Sequence, residues 1–322
     1  MSENRVTAVV SRLVERGLIV WLVLLSLTAW FWPTWLPGVW DPFVETKPLL
    51  DGLIAATMLA IGSLLPRDEV REVLRQWPRV LGGTAVQFLA MPLLAYSVAV
   101  AAGLTGPTLT GVIMVGCVPG AMASNVLTLA ARGNVTYSIG LTTSATLLSP
   151  LMVPLALSLT LGQWRPFPAD DVALSLLLTV VLPVVVGYTL SRWWPLWERA
   201  ARAVGSIIAN LTILWIIALV VGLNRDRLAQ VHALLLGLLL VINLGGYLAG
   251  NLGGRLLRLP RPMRRALTLE VGMQNAGLGT FLVLNVFRDE PAAAIPPAIY
   301  TFGCMLTGTV LARVWAEFGR EE

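Results

Sequence analysis

The chain is poor in charge, in cysteine and in histidine. Asp, Glu, Lys and Arg make up 13% of its 322 residues, against about 25% in ordinary soluble domains. Its two cysteines, Cys117 and Cys304, both fall inside apolar runs, which excludes a disulfide framework and a thiolate metal cluster. The single histidine, His232, falls at a predicted helix end, so no Ser/His/Asp constellation can be assembled. GxSxG and GxxxxGK[ST] are both missing, which removes a serine hydrolase of the elbow type and ATP-driven pumping by an in-chain phosphate loop. Alternating ten-residue strands are absent, which argues against a membrane barrel. The opening stretch MSENRVTAVVSRLVERG lacks the small-residue cleavage site of a signal peptide, and Glu3 and Glu15 speak against a transit peptide. It is expected to be a cytoplasmic lead-in.

Apolar sequence is what the chain has in excess. Hydrophobic residues make up 56% of it, and the mean hydropathy is +0.76. Runs of roughly 18 residues or more recur from end to end, each long enough to cross about 30 Å of hydrocarbon. In that solvent the backbone must satisfy its own hydrogen bonds, so the runs read as helices. Ten are expected, at about 18–36, 48–65, 78–102, 107–131 and 135–161, then 171–191, 203–223, 232–254, 264–287 and 294–316.

The Lys and Arg positions support this count. With the N-terminus inside, 18 of the 23 fall on the inner side, and Lys47, Arg165, Arg225, Arg227 and Arg288 fall outside. That bias predicts cytoplasmic termini. It also accounts for the net charge of +5 without a nucleic-acid partner. Tryptophans near span ends, among them Trp30, Trp77, Trp164 and Trp193, fit an interfacial belt. Ten spans divide as five plus five, and an odd-numbered unit repeated once is inverted in the membrane. The halves are expected at 1–165 and 166–322.

The fourth and ninth spans are the unusual ones. The fourth, GVIMVGCVPGAMASNVLTLAARGN, carries Pro119-Gly120 mid-span, followed by Ser124-Asn125. Proline removes a donor and clashes with the preceding turn, and glycine permits unusual dihedrals. The ninth, RALTLEVGMQNAGLGTFLVLNVF, crowds Glu270, Gly272, Gln274 and Asn275 together. Interrupted helices at matching places in two halves point to a transporter's binding site. Their carbonyl ends suit cations and their N-terminal ends suit anions.

Glu270 is the acid placed deep within a span, and an ionisable group there is a functional candidate by default. The competing reading neutralises it by protonation or pairs it with Arg264 or Arg265. In the fifth span Ser138 and Thr142 are four apart and share a helical face, although such hydroxyls often bond back to their own helix. Gln87 and Asn243 are lone amides in the third and eighth spans. Oxygen ligands without a Cys or His cluster select hard cations.

The blocks GCVPGAMASNVLTLAARGNVTYSIGLTTSATLLSPLMVP and LEVGMQNAGLG closely resemble the bile acid:sodium symporter family, and the ten-span reading extends the likeness over nearly the whole chain. The resemblance implies an all-α membrane protein of two inverted five-helix repeats. A panel (helices one, two, six and seven) would move against a core (three to five and eight to ten), with helices four and nine unwound and crossing. It implies two co-transported sodium ions. The first would be held by Ser124, Asn125, Ser138, Thr142 and Glu270. The second would be held by Gln87, Glu270, Gln274 and the carbonyls of Val271 and Met273. Asn275, with Met122 and Ala123, would face the substrate. The family's Pro-Gly-Gly-Thr is here Pro119-Gly120-Ala121-Met122, which removes a hydroxyl and adds bulk where the substrate is recognised.

The expected activity is therefore sodium-driven symport of a small organic anion in the bacterial inner membrane. The anion would be bile-acid-like, pantoate-like or a 2-oxo acid, and the protein would act as a monomer. A proton-coupled or efflux permease of the same architecture is the rival. An enzyme is not expected.

Overall fold

The computed structural model describes residues 18–65, 75–163, 167–229 and 232–318. Among them the ordered elements are helical, with no strand beyond one isolated bridge. The helices are α1 (Leu18–Trp35), α2 (Pro42–Glu45), α3 (Leu50–Leu64), α4 (Trp77–Ala101), α5 (Gly106–Cys117), α6 (Ala123–Ala130), α7 (Val135–Leu159), α8 (Ala169–Leu176), α9 (Leu182–Trp193), α10 (Pro195–Leu223), α11 (Arg225–Leu228), α12 (Ala233–Leu256), α13 (Arg261–Gly272), α14 (Ala276–Val286) and α15 (Ile295–Phe318).

Each of the ten apolar segments carries helix. By length and apolarity six helices can cross a membrane, and a seventh is added if Pro195–Gly205 and Ile207–Leu223, bent by 45°, form one span. Val20–Trp35, Gly106–Cys117 and Ala276–Val286 are shorter apolar helices. The chain is thus an all-α, multi-pass membrane protein.

Two boundaries differ from expectation for identifiable reasons. α10 begins at Pro195 rather than near 203. Its first turns carry the charges of WERAAR, which lower their apolarity. Proline suits the first helical turn, and the Arg202–Glu198 pair at 2.6 Å supports the same helix. Between α8 and α9 the helix widens into a π turn at Leu177–Val181. Pro183 follows it and has no N–H to give to that turn.

The chain folds as two compact units. One comprises the described residues within Met1–Pro66 and Leu174–Gln230, the other those within Arg67–Ala173 and Val231–Glu322. In the first unit α3 packs against α9 and α10, and α10 also packs against α1 and α2. Ala29, Phe43, Ala218 and Val221 form an apolar cluster there. Asp41 caps α2 by accepting from Phe43 N at 3.0 Å, and its other oxygen accepts from Arg225 Nη2 at 2.5 Å.

In the second unit α4 packs on α5, α7 and α12, and α12 packs on α13 and α15. The short helices α5, α6, α13 and α14 lie among these long ones. α5 stops at Cys117 and α6 begins at Ala123; α13 stops at Gly272 and α14 begins at Ala276.

Candidate functional site

The two helix breaks meet. Ala121 N donates to Met273 O at 2.7 Å and Asn275 N donates to Pro119 O at 2.8 Å, which makes an antiparallel bridge between Gly120 and Gln274. Each extended piece therefore satisfies backbone groups that the other's helix end leaves unpaired. Four helix ends converge on this bridge. The last carbonyls of α5 and α13 bring partial negative charge, and the first amides of α6 and α14 bring partial positive charge.

The second break is fixed from behind. Gly272 O, at the end of α13, accepts from Asn243 Nδ2 and from Tyr300 OH, each at 2.8 Å. Thr307 Oγ1 donates to Asn243 Oδ1 at 2.6 Å, and Tyr247 OH lies 3.1 Å from the same threonine oxygen. A side chain at position 272 would collide with the ring of Tyr247. Asn243, a lone amide in the sequence, is thus a helix-end anchor. Tyr247, Tyr300 and Thr307 escaped the sequence reading. A single tyrosine or threonine in an apolar span carries no local sign that it reaches a carbonyl on another helix.

Glu270, in the last turn of α13, is fully buried at 0% exposure. Its Oε2 accepts from Ser124 Oγ on α6. Thr142 Oγ1 on α7 lies 2.8 Å from both Oε1 and Oε2. The same hydroxyl lies 3.4 Å from Asn125 Oδ1 and 3.1 Å from Ser138 O. The two hydroxyl protons thus serve a set of oxygens with many more lone pairs than hydrogens, an arrangement suited to a cation. Arg265 does not neutralise the acid; its Nη1 donates to Ala131 O at 2.9 Å. Gly120 stands against the carboxylate, and a side chain there would occupy the place of Glu270 Oε1.

Ser138 is buried one helical turn before Thr142, and its hydroxyl lies 3.2 Å from Thr128 Oγ1 on α6. It reaches the cluster through its carbonyl. Thr128 was missed for the same reason as Tyr300.

The residues expected around the second ion divide differently. Gln274 Nε2 donates to Val271 O at 2.7 Å, while its Oε1 is buried without a partner. Both amide atoms of Gln87, on α4, are buried and have no partner among the described residues. A buried polar group left unpaired costs about 1–3 kcal/mol, so a partner outside the chain fits these atoms. Met273 O is engaged by Ala121 N.

Of the residues expected to face substrate, Asn275 caps α14 by accepting from Leu278 N at 3.1 Å, so its oxygen has a structural task. Met122 precedes α6, which has no side-chain cap, and Ala123 is its first residue. All three are half-buried, in contrast to the buried Glu270, Ser124 and Gln274.

The sequence profile described as the Sodium Bile acid symporter family matches residues 52–231. The chain belongs to this family. The profile match contains the first break and ends before the second. A relative from Bacillus subtilis, described as the uncharacterized sodium-dependent transporter YocS, is 32% identical over 303 residues, covering 92% of this chain and 90% of its own length. The rice protein described as probable sodium/metabolite cotransporter BASS2, chloroplastic, is 29% identical over 303 residues, covering 93% of this chain and 70% of its own. The rabbit ileal sodium/bile acid cotransporter is 31% identical over 255 residues, covering 77% and 72%. Like other members of the sodium bile acid symporter family, this chain is a sodium-dependent transporter and not an enzyme.

Proposed function

We propose that the chain is a symporter that couples inward movement of a small organic anion to two sodium ions bound where the helix breaks meet. One observation carries this reading: a fully buried carboxylate, Glu270, whose partners among the described residues are hydroxyls. Among the described residues no cationic side chain pairs with its negative charge, and an uncompensated buried charge is costly. Sodium is the mobile counterpart that the family supplies. The first ion would use Ser124, Asn125, Ser138, Thr142 and Glu270. The second would use Gln87, Gln274, Glu270 and the carbonyls of Val271 and Met273, and it would engage the orphan amide oxygens.

Charge balance then links ion to substrate. Two sodium ions, one Glu270 carboxylate and one monovalent anion sum to zero, and a neutral site crosses low dielectric most easily. The uncapped start of α6 near Ala123 and the start of α14 at Asn275 offer amides for the substrate's carboxylate. Met122, next to them, would act in choosing the anion. The charge logic favours a carboxylate of the bile-acid, pantoate or 2-oxo-acid kind.

Ten spans in two inverted repeats are supported by the second unit. It runs as helices of 25, 12, 8 and 25 residues from α4 to α7, and as 24, 12, 11 and 24 from α12 to α15. The two units would serve as panel and core of an alternating-access cycle. Both termini would lie in the cytoplasm of a bacterium, with the protein monomeric in its inner membrane.

Thermal-shift screening of the purified protein with organic anions, in sodium and in potassium at one pH, tests this function. A ligand that binds the folded state raises its stability. An anion that stabilises in sodium and not in potassium is the expected result. Equal stabilisation in both salts contradicts sodium coupling and favours a proton-coupled permease.

A further inference from the structure

Three helices of the second unit end in the same left-handed cap. α4 closes at Gly103 (φ 65), α6 at Arg132 (φ 54) and α12 at Arg258 (φ 53). In each the next residue's amide reaches back five positions: Leu104 N to Ala99 O, Gly133 N to Thr128 O and Leu259 N to Gly254 O. Glycine adopts this conformation freely, whereas a residue with a Cβ resists it. Arginine stands there twice where glycine would be easier. A cation at a helix C-terminus is favoured by the dipole, which explains these two charges but not their surroundings.

The surroundings are also arginine. Arg261, Arg264 and Arg265 occupy the first turns of α13, where the dipole opposes cations and no acid is present in the first turn. Backbone contacts gather these groups with Arg132. Arg265 Nη1 donates to Ala131 O, and Asn134 N donates to Pro262 O, both at 2.9 Å. Arg132, Arg261 and Arg264 all lie near enough for their charges to act on Arg265. The start of α4 joins the same face, because a side chain on Gly82 would stand 3.2 Å from Leu257. A concave pocket there is lined by Arg75, Gln76, Pro78 and Arg79.

The depth of this face is set by its neighbours. Leu256 is 83% exposed and Trp77 is 59% exposed. Such apolar side chains belong in acyl chain or at the interface, so the arginines next to them fall at headgroup level. We propose that this arginine face binds the phosphates of anionic phospholipids in the adjacent leaflet. The planar guanidinium fork matches a phosphate, and basic residues just beyond a span are attracted to anionic headgroups. A soluble phosphate would make no use of the flanking leucine and tryptophan.

The test follows thermal unfolding of the detergent-purified full chain with phosphatidylglycerol or, at equal mole fraction, phosphatidylcholine. The double variant Arg132→Gly/Arg258→Gly is run alongside. Phosphatidylglycerol should raise the wild-type midpoint by several degrees more than phosphatidylcholine. The variant should unfold without lipid at the wild-type temperature or higher, because glycine relieves both left-handed positions, yet lose most of the lipid-specific shift. If the variant fails to fold, native mass spectrometry of the wild type decides, and preferential retention of phosphatidylglycerol is the expected result. Equal effects or equal retention of the two lipids would overturn the proposal. So would a full shift in the variant, or a shift reproduced by inorganic phosphate alone.

Discussion

Asp41 and Glu270 are acids set among apolar helices, and the protein treats their charges in different ways. Asp41 is neutralised by a fixed partner. Arg225 Nη2 lies 2.5 Å from its carboxylate, and the same guanidinium is held by two contacts to Ala29 O at 2.9 and 2.7 Å. The pair is about one-fifth exposed, and the carboxylate's charge is met by the guanidinium. Glu270 is wholly buried and met by the hydroxyls of Ser124 and Thr142, and the same unit buries Gln87 and Gln274 with orphan amide atoms. A site finished by its own side chains holds a fold together. Under the proposed function, a site with surplus lone pairs and no cation among the described residues is arranged for a charge that comes and goes.

Variants at the two places break or sharpen this contrast, with sodium-dependent thermal stabilisation as the common readout. The largest effect is expected at Glu270→Ala, which should abolish the stabilisation; for a ligand at a hundred times its Kd that is about 2.7 kcal/mol. Gly120→Ala should come next. Its methyl would displace the carboxylate oxygen, and sodium affinity should fall by on the order of tenfold or more, about 1.4 kcal/mol. Gln87→Leu is more discriminating. Replacing an unpaired buried amide by an apolar side chain should leave stability in potassium unchanged or raised, while the sodium effect shrinks. Asp41→Asn should do the reverse. The sodium effect should persist, while overall stability drops by about 1–2 kcal/mol, between the values for exposed and buried pairs.

Much of the site was legible because it violates the pattern around it. Pro119-Gly120 and the Glu270–Asn275 cluster interrupt apolar runs, so the breaks are legible in the sequence. Ser138 and Thr142 share a face by spacing alone, yet Ser138 proves to offer its carbonyl to Thr142 and its hydroxyl to Thr128. What stayed hidden depends on distant segments. Nothing local indicates that Asn243 and Tyr300, 57 residues apart, meet on one carbonyl. The start of α10 was missed because its charged first turns resemble a loop. The capping of α14 by Asn275 was likewise masked by its expected role toward substrate. Met122 is half-buried at the head of α6, and under the proposed function Met122→Thr should change which anions stabilise the protein in sodium.

Equilibrium binding of radioactive sodium to the purified wild type and to Glu270→Gln, in potassium buffer at one pH, tests the central claim most directly. The account predicts saturable binding to the wild type, competed by unlabelled sodium and not by potassium, and its loss in the variant. Equal binding of sodium by Glu270→Gln and the wild type would contradict it.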